Sequence, residues 1–271
     1  FPINPLLSQF GIPYTFCTIN DNEDTIEISK NFDTTYSLHF RNIIKNFEEY
    51  LQKDENEIDS IELMNLVTTL KYNVIVSEDM KEELSSLGKI CYDFLDRMHF
   101  LKDNMFQPDD KQIIILTLLQ EIIPRIPPEC ITPAKGYEIF PGVCEETELD
   151  SFDIELEIID EAWISTGLYL PAGTVGTVIT EEPYPNLNVQ IGAHHEPLLQ
   201  KESPWKRWPL IISAFPLLNT EVQVVSPFGG PIYLIANEPL SSSFHAKFRF
   251  TNFVMYPRYV KSDPSIWEKT K

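Results

Sequence analysis

Histidine is scarce among the residues in this chain that could do chemistry: His39, His99, His194, His195 and His245 are the full set. None stands in an HExxH signature, which would set two imidazoles on one helical face around zinc with a glutamate as base. A GxSxG nucleophile turn, a Walker A loop and a GxGxxG turn are equally missing from the sequence. The cluster that qualifies by type is His194-His195-Glu196, two imidazoles and a carboxylate, each a legitimate zinc ligand. Adjacent residues of a strand point to opposite faces, so these rings share a metal only in a loop, which Pro197 favours. A third ligand would have to come from far along the chain. A polar strand end is the simpler reading, and no metal is assigned.

Trp205 and Trp208, with Lys206 and Arg207 between them and Pro204 and Pro209 outside, form a second candidate. Exposed, Trp205, Arg207 and Trp208 would contact a ligand or partner, the indoles stacking on sugars or anchoring a protein. The competing reading packs an indole in the core while Lys206 and Arg207 reach outward along their stems. Ser226-Pro227-Phe228-Gly229-Gly230-Pro231 looks like a ligand loop. No helix start follows it to bind an anion, so a tight inter-strand turn is expected. Glu155 and Glu157 share one face of a strand, at a spacing compatible with a glycosidase carboxylate pair, though a solvated face explains them as well. Cys91 falls on an apolar helical stripe and reads as inert core. No residue is assigned a catalytic role.

The elements that must position these groups divide the chain in two. Four amphipathic helical patterns come first. One runs from about Thr34 to Leu51 (Phe40, Ile43, Ile44, Phe47, Leu51). A second is capped at Asp59 or Ser60 (Ile61, Leu63, Leu66, Leu70). A third starts at Ser77, with Glu78 and Asp79 in its first turn, and carries Leu84, Leu87, Cys91, Phe94, Leu95 and Met98. The fourth opens at Asp109-Asp110, runs through the very apolar 113–123 and stops at Pro124, as a central helix buried on most sides would. After residue 150 the apolar period drops from 3.6 to 2, and short strands follow between Pro, Gly and Asn turns. The clearest alternates Phe244, Ala246, Phe248 and Phe250 with His245, Lys247, Arg249 and Thr251. The expected fold class is α+β in two parts, an N-terminal helical bundle followed by an antiparallel β-sandwich. The expected organisation is an arm or tail at 1–30, a helical module at 31–124, a Pro-rich acidic linker at 125–150 and the sandwich at 151–271.

Charge follows the same division. Of 271 residues, 41 are acidic and 21 basic, a net −20; residues 1–150 hold 28 acids against 12 bases, and 151–271 hold 13 against 9. Such a field repels the phosphate backbone and anionic lipid, so nucleic-acid and membrane-surface binding are not expected. No apolar run nears the ~20 residues that span a bilayer. The four cysteines, Cys17, Cys91, Cys130 and Cys144, are widely spaced, and no Asn-x-Ser/Thr sequon occurs. The spacing is unlike the dense framework of a small secreted domain, and the missing sequon favours an unglycosylated, intracellular protein. A start at Phe1 without Met or a signal-type segment reads as an internal piece of something longer.

The run Trp163-Ile164-Ser165-Thr166-Gly167-Leu168-Tyr169-Leu170-Pro171-Ala172-Gly173 resembles the opening of the enhancin-like peptidase domain, which also occurs in TRPM channel-associated factors (TCAF proteins). Further matches follow in the family's order: Val189 to His194, Trp205 to Pro209, Ser226 to Tyr233, and Tyr256-Pro257-Arg258-Tyr259 to Trp267. The resemblance implies a β-sandwich that precedes a zinc-binding HExxH domain beginning beyond Lys271. It therefore implies no cofactor in this chain and zinc at most in a longer parent. It makes His194 and Gly192 a strand end and Gly229-Gly230 a structural turn. By function it implies a non-catalytic segment of a TCAF-like protein, cytoplasmic and peripheral to the plasma membrane, that recognises the cytosolic part of a TRPM-type cation channel and regulates its trafficking or gating. The alternatives are an accessory sandwich of a secreted zinc-dependent mucin peptidase, or a glycan-binding module.

Overall fold

The apolar stripes of the first half are helices in the structure, a computed structural model that describes residues 40–76, 80–145, 148–159, 163–240, 242–257 and 265. The expected arm at 1–30, the helix start at 34–39 and the Ser77 cap lie outside the described residues. Helix α1 (Phe40–Leu51) buries Phe40, Ile43, Ile44, Phe47, Tyr50 and Leu51. Helix α2 (Ser60–Val76) is capped by Asp59, whose carboxylate accepts from the amides of Ile61 and Glu62 at 2.9 Å each. The Tyr50 hydroxyl accepts from the Asp59 amide at 2.9 Å and ties that cap to α1. Helix α2 buries Leu63, Val67 and Leu70, whereas Ile61, expected on the stripe, is 74% exposed. Two residues along a helix is a turn of about 200°, so a helix that buries Leu63 must expose Ile61.

Helix α3 (Lys81–Arg97) buries Leu84, Leu87, Cys91, Phe94 and Leu95. Helix α4 (Asp110–Ile122) opens on a reciprocal capping box, with the Gln112 amide donating to Asp109 Oδ1 at 2.8 Å and the Asp109 amide to Gln112 Oε1 at 2.9 Å. The buried Gln112 also donates through Nε2 to the Met98 carbonyl at 2.7 Å, which satisfies the open end of α3. Helix α4 buries Ile114, Ile115, Leu116, Leu118, Leu119 and Ile122, more than one face, as a central helix does. It leaves through a 3₁₀ turn at Ile123–Arg125, where Pro124 supplies no amide. These helices pack on one another and form one unit, residues 40–100 with Pro108–Pro127.

The second unit takes residues 101–107 and those from Pro128 onward. Strands β1 (Leu101–Lys102) and β2 (Met105–Phe106) are a hairpin set between α3 and α4 in sequence but belonging with the strands. Asp103 and Asn104 both take positive φ (52° and 57°) at its tip, the backbone a two-residue turn needs. Residues 128–142, within the expected linker, also bond to this unit: the Ala134 amide donates to the Pro227 carbonyl at 2.8 Å.

The other strands are β3 (Asp150–Ile158), β4 (Trp163–Leu170), β5 (Gly176–Thr180), β6 (Tyr184–Ile191), β7 (Ser213–Leu217), β8 (Glu221–Val224), β9 (Gly230–Ala236) and β10 (Phe244–Met255). They form one eight-stranded antiparallel sheet in the order β7-β6-β9-β4-β10-β5-β8, with β3 also on β10. Strand β10 pairs with β5 as far as Thr251, bulges at Asn252 (φ 68°), keeps β3 through Phe253 opposite Asp150, and pairs with β4 through Val254 and Met255. The two ends of the order, β7 and β8, are joined by three residues, so the sheet is nearly barrel-like. Its core holds Leu168, Leu170, Val189, Ile191, Leu234, Phe248, Phe250 and Phe253. Pro216 lies inside β7, where an outermost strand has no ladder to lose on one side.

Candidate functional site

The recognisable motifs are where distant backbones meet. Between Ser165 and Tyr169 the β4–β9 register shifts, and side chains take over the missing ladder bonds. The buried Thr166 hydroxyl donates to the Ile232 carbonyl at 3.0 Å and accepts from the Leu168 amide at 3.2 Å; the Tyr256 amide donates to the Gly167 carbonyl at 2.9 Å. At the far end of β4, a Cβ on Gly229 (φ 69°) would sit 2.7 Å from the Leu170 carbonyl oxygen and the Ala172 nitrogen. One on Gly230 (φ 151°) would sit 2.7 Å from the Gly192 backbone. Three motifs far apart in sequence thus close one junction that only glycine fits, and Gly229-Gly230 is a structural turn.

Trp205 and Trp208 line a second core in the same unit. They are 4% and 3% exposed, and both indole N–H groups are spent on backbone carbonyls: Trp205 on Glu202 at 3.1 Å, Trp208 on Lys135 at 2.8 Å. Trp205 exchanges both backbone bonds with Phe106 of the hairpin at 2.8 Å, and Trp208 packs against Phe106 and Phe228 at ring separations of 6.1 and 5.5 Å. Arg207 is half-buried, its guanidinium on the carbonyls of Trp208 (2.9 Å), Pro209 (3.3 Å) and Glu196 (2.7 Å). Burial pulls its pKa below the ordinary guanidinium value, partly offset by the Glu196 carboxylate.

His194, His195 and Glu196 are exposed and diverge. His194 meets the Phe140 ring edge-on at 4.9 Å, while His195 lies 5.4 Å from Trp163. Glu196 bonds Lys201 Nζ at 2.9 Å, which holds its carboxyl below the usual glutamate value. Among the described residues no three His, Cys, Asp or Glu side chains are grouped to hold a metal, and no helix is long and apolar enough to cross a membrane. Glu155 and Glu157 face solvent opposite Lys247 and His245 of β10.

The structure brings to the surface a group that residue types did not single out. Trp163, first residue of β4, is 41% exposed and packs its ring on Tyr233 as well as His195, each at 5.4 Å. Tyr233 lies on β9 opposite Ser165, and burial followed by the neighbouring Tyr256 pushes its phenol pKa up. Tyr256 in turn stacks on Tyr169 at 6.0 Å, 8° from parallel. The outer face of β4–β9 therefore carries aromatic rings from His195 toward Tyr169. The available signal was alternation: Trp163, Ser165 and Tyr169 share one parity along β4, opposite to the buried Thr166, Leu168 and Leu170.

Comparison with known proteins gives these motifs a setting. Residues 147–246 match the family model described as the N-terminal domain of M60-like peptidases. The TRPM8 channel-associated factor 2 of Bos taurus is 24% identical over 251 residues, covering 87% of this chain and 26% of that protein. The TRPM8 channel-associated factor 3 of Rattus norvegicus is 33% identical over 78 residues, covering 28% of this chain and 8% of its own length. The chain thus spans about a quarter or less of the curated relatives it matches. Among solved structures, IMPa from Pseudomonas aeruginosa in complex with an O-glycopeptide aligns at a TM-score of 0.37 and 11% identity, over 70% of this chain and 26% of that one. The chain resembles the TRPM8 channel-associated factors, and within it the strand region resembles the N-terminal domain of M60-like peptidases.

Proposed function

We propose that this chain is a non-catalytic, partner-recognising part of a TCAF-like protein, which regulates the trafficking or gating of a TRPM-type cation channel by binding its cytosolic region. In this reading the helices form a bundle, and the sheet is a sandwich whose layers are β3-β10-β5-β8 and β4-β9-β6-β7. The protein acts in the cytoplasm, held at the membrane through its partner.

The observation that carries the reading is the open Trp163 ring with His195 and Tyr233 beside it. A large, stiff amphipathic ring on a strand gives contact area at little entropic cost, the usual property of an interface anchor. Trp205, Arg207 and Trp208 serve this surface from behind. The indoles fix the chain that follows His195, and the Arg207 bond to the Glu196 carbonyl holds the residue next to it. The test is binding of the whole chain to an immobilised cytosolic region of a TRPM-type channel. Trp163→Ala is expected to weaken it about tenfold or more at unchanged unfolding temperature, and Arg207→Ala by a few fold. Wild-type binding untouched by Trp163→Ala would sink the reading. A flat open indole also suits a sugar ring. Glycan-array binding lost in Trp163→Ala, with no channel binding, would give the site to that second use.

A further inference from the structure

A cleft of the strand unit, about 860 Å³, opens where β10 ends and β3 begins. Its volume falls within the range of ligand clefts, about 300–1,000 Å³. Val143, Leu149, Met255 and Tyr256 line it and each expose between 40 and 58% of their surface, so four large apolar side chains face water in one place. Its floor includes Tyr169, on which Tyr256 stacks. Glu145, Glu148 and Asp150 also line it, and none of the described lining residues is Lys, Arg or His. The apolar groups reward an apolar occupant with burial. The carboxylates repel an acidic one and draw a basic one. A second copy of this chain, at −20, is disfavoured by the same field.

We propose that this cleft is a docking groove for an extended segment of a partner protein that carries one or two large aliphatic side chains flanked by lysine or arginine. The groove rests on its own residues, apart from Trp163, so it stands or falls separately from the function proposed above. In it the aliphatic side chains sit over Tyr169 among Val143, Leu149 and Met255, and the flanking cations face Glu145, Glu148 and Asp150.

The whole chain is titrated into a fluorescein-labelled peptide KRLLRK, with KRSSRK and EELLEE as controls, and anisotropy is read at about 0.05 and 0.3 M salt. Saturable micromolar binding of KRLLRK is expected, at least about tenfold tighter than either control and weaker at high salt. Val143→Ser with Leu149→Ser should cost about tenfold, and Glu145→Lys with Glu148→Lys about tenfold or more. Glu181→Lys with Glu221→Lys, exposed acids outside the cleft, should change little. Far-UV circular dichroism and the unfolding temperature of each variant establish that the fold is kept. Equal binding of KRSSRK, or equal losses from the cleft and distant charge reversals, would mean adventitious attraction to an acidic protein and overturn the proposal. So would self-association in sedimentation that disappears in Val143→Ser with Leu149→Ser, because the occupant would then be a second copy.

Discussion

The helical unit and the strand unit reach burial by opposite routes. Helix α3 buries Leu84, Leu87, Cys91, Phe94 and Leu95, each three or four residues from another on the same helix or next to one that is. The caps of α2 and α4 are equally local, as Asp59 bonds the amides two and three residues ahead and Asp109 the amide three ahead. In the strand unit close backbone approaches join Gly229 to the Leu170–Ala172 backbone and Gly230 to Gly192, and the Trp205 bonds reach back to Phe106. The first unit is built from redundant apolar contacts that can relax. The second depends on a few backbone junctions that leave no room.

That contrast can be broken most forcefully at Gly230. Gly230→Val adds branched bulk 2.7 Å from the Gly192 backbone at a φ of 151°. It should cost the strand unit about 3 kcal/mol or more, read as an early loss of the buried tryptophan fluorescence while helical dichroism persists. A strand transition left in place would show that the junction relaxes after all. Leu87→Ala in the helical core should cost about 2–5 kcal/mol, within the range for buried leucines, and should move the helical transition alone in urea. A simultaneous shift of the fluorescence transition would mean that the two units unfold together.

Smaller effects sharpen the picture. Removing the capping box with Asp109→Ala should cost about 1 kcal/mol by denaturant titration, and an effect near zero would show that Gln112 holds α4 unaided. Burial, followed by Cys144 and Tyr256, pushes the Tyr169 phenol from 10 up to about 12. The folded state then holds that proton more tightly than the unfolded chain. Its contribution is complete below pH 10 and is lost as pH rises from 10 to 12. Tyr169→Phe should flatten that part of the stability profile, and an unchanged slope would place the loss elsewhere. Least of all, Arg249→Ala removes an exposed ion pair with Asp153 at 3.2 Å and should move stability by about 0.5 kcal/mol or less.

Much of this contrast is also a contrast in legibility. The helices could be read because a 3.6-residue period is a property of the segment itself. The error at Ile61 arose because two apolar residues two apart cannot both face inward, and only the packed neighbours choose between them. The alternation through Phe248 and Phe250 was readable for the same local reason, while the switch of β10 from β5 to β4 was not. The β1–β2 hairpin was overlooked although Asp103-Asn104 carried its turn signal, because it interrupts a run of helices. For the site, Trp205, Arg207 and Trp208 were conspicuous by type, but their burial depends on Phe106, Lys135 and Phe228 far along the chain. Trp163 was read as the start of a motif, and its exposure follows from its pairing with β9.

By itself, the sequence determined the change from helix to strand near residue 150, the helix caps and stripes, the acidic excess of the first half and the motifs that resemble a known family. Each of these depends on residues within a few positions of one another. Which indole is buried, which is open, and that Val143, Leu149, Met255 and Tyr256 share one acidic cleft were decided only by tertiary structure. Exposure is set by what lies opposite a side chain, and in an antiparallel sheet that neighbour is chosen by long-range register rather than by the chain on either side.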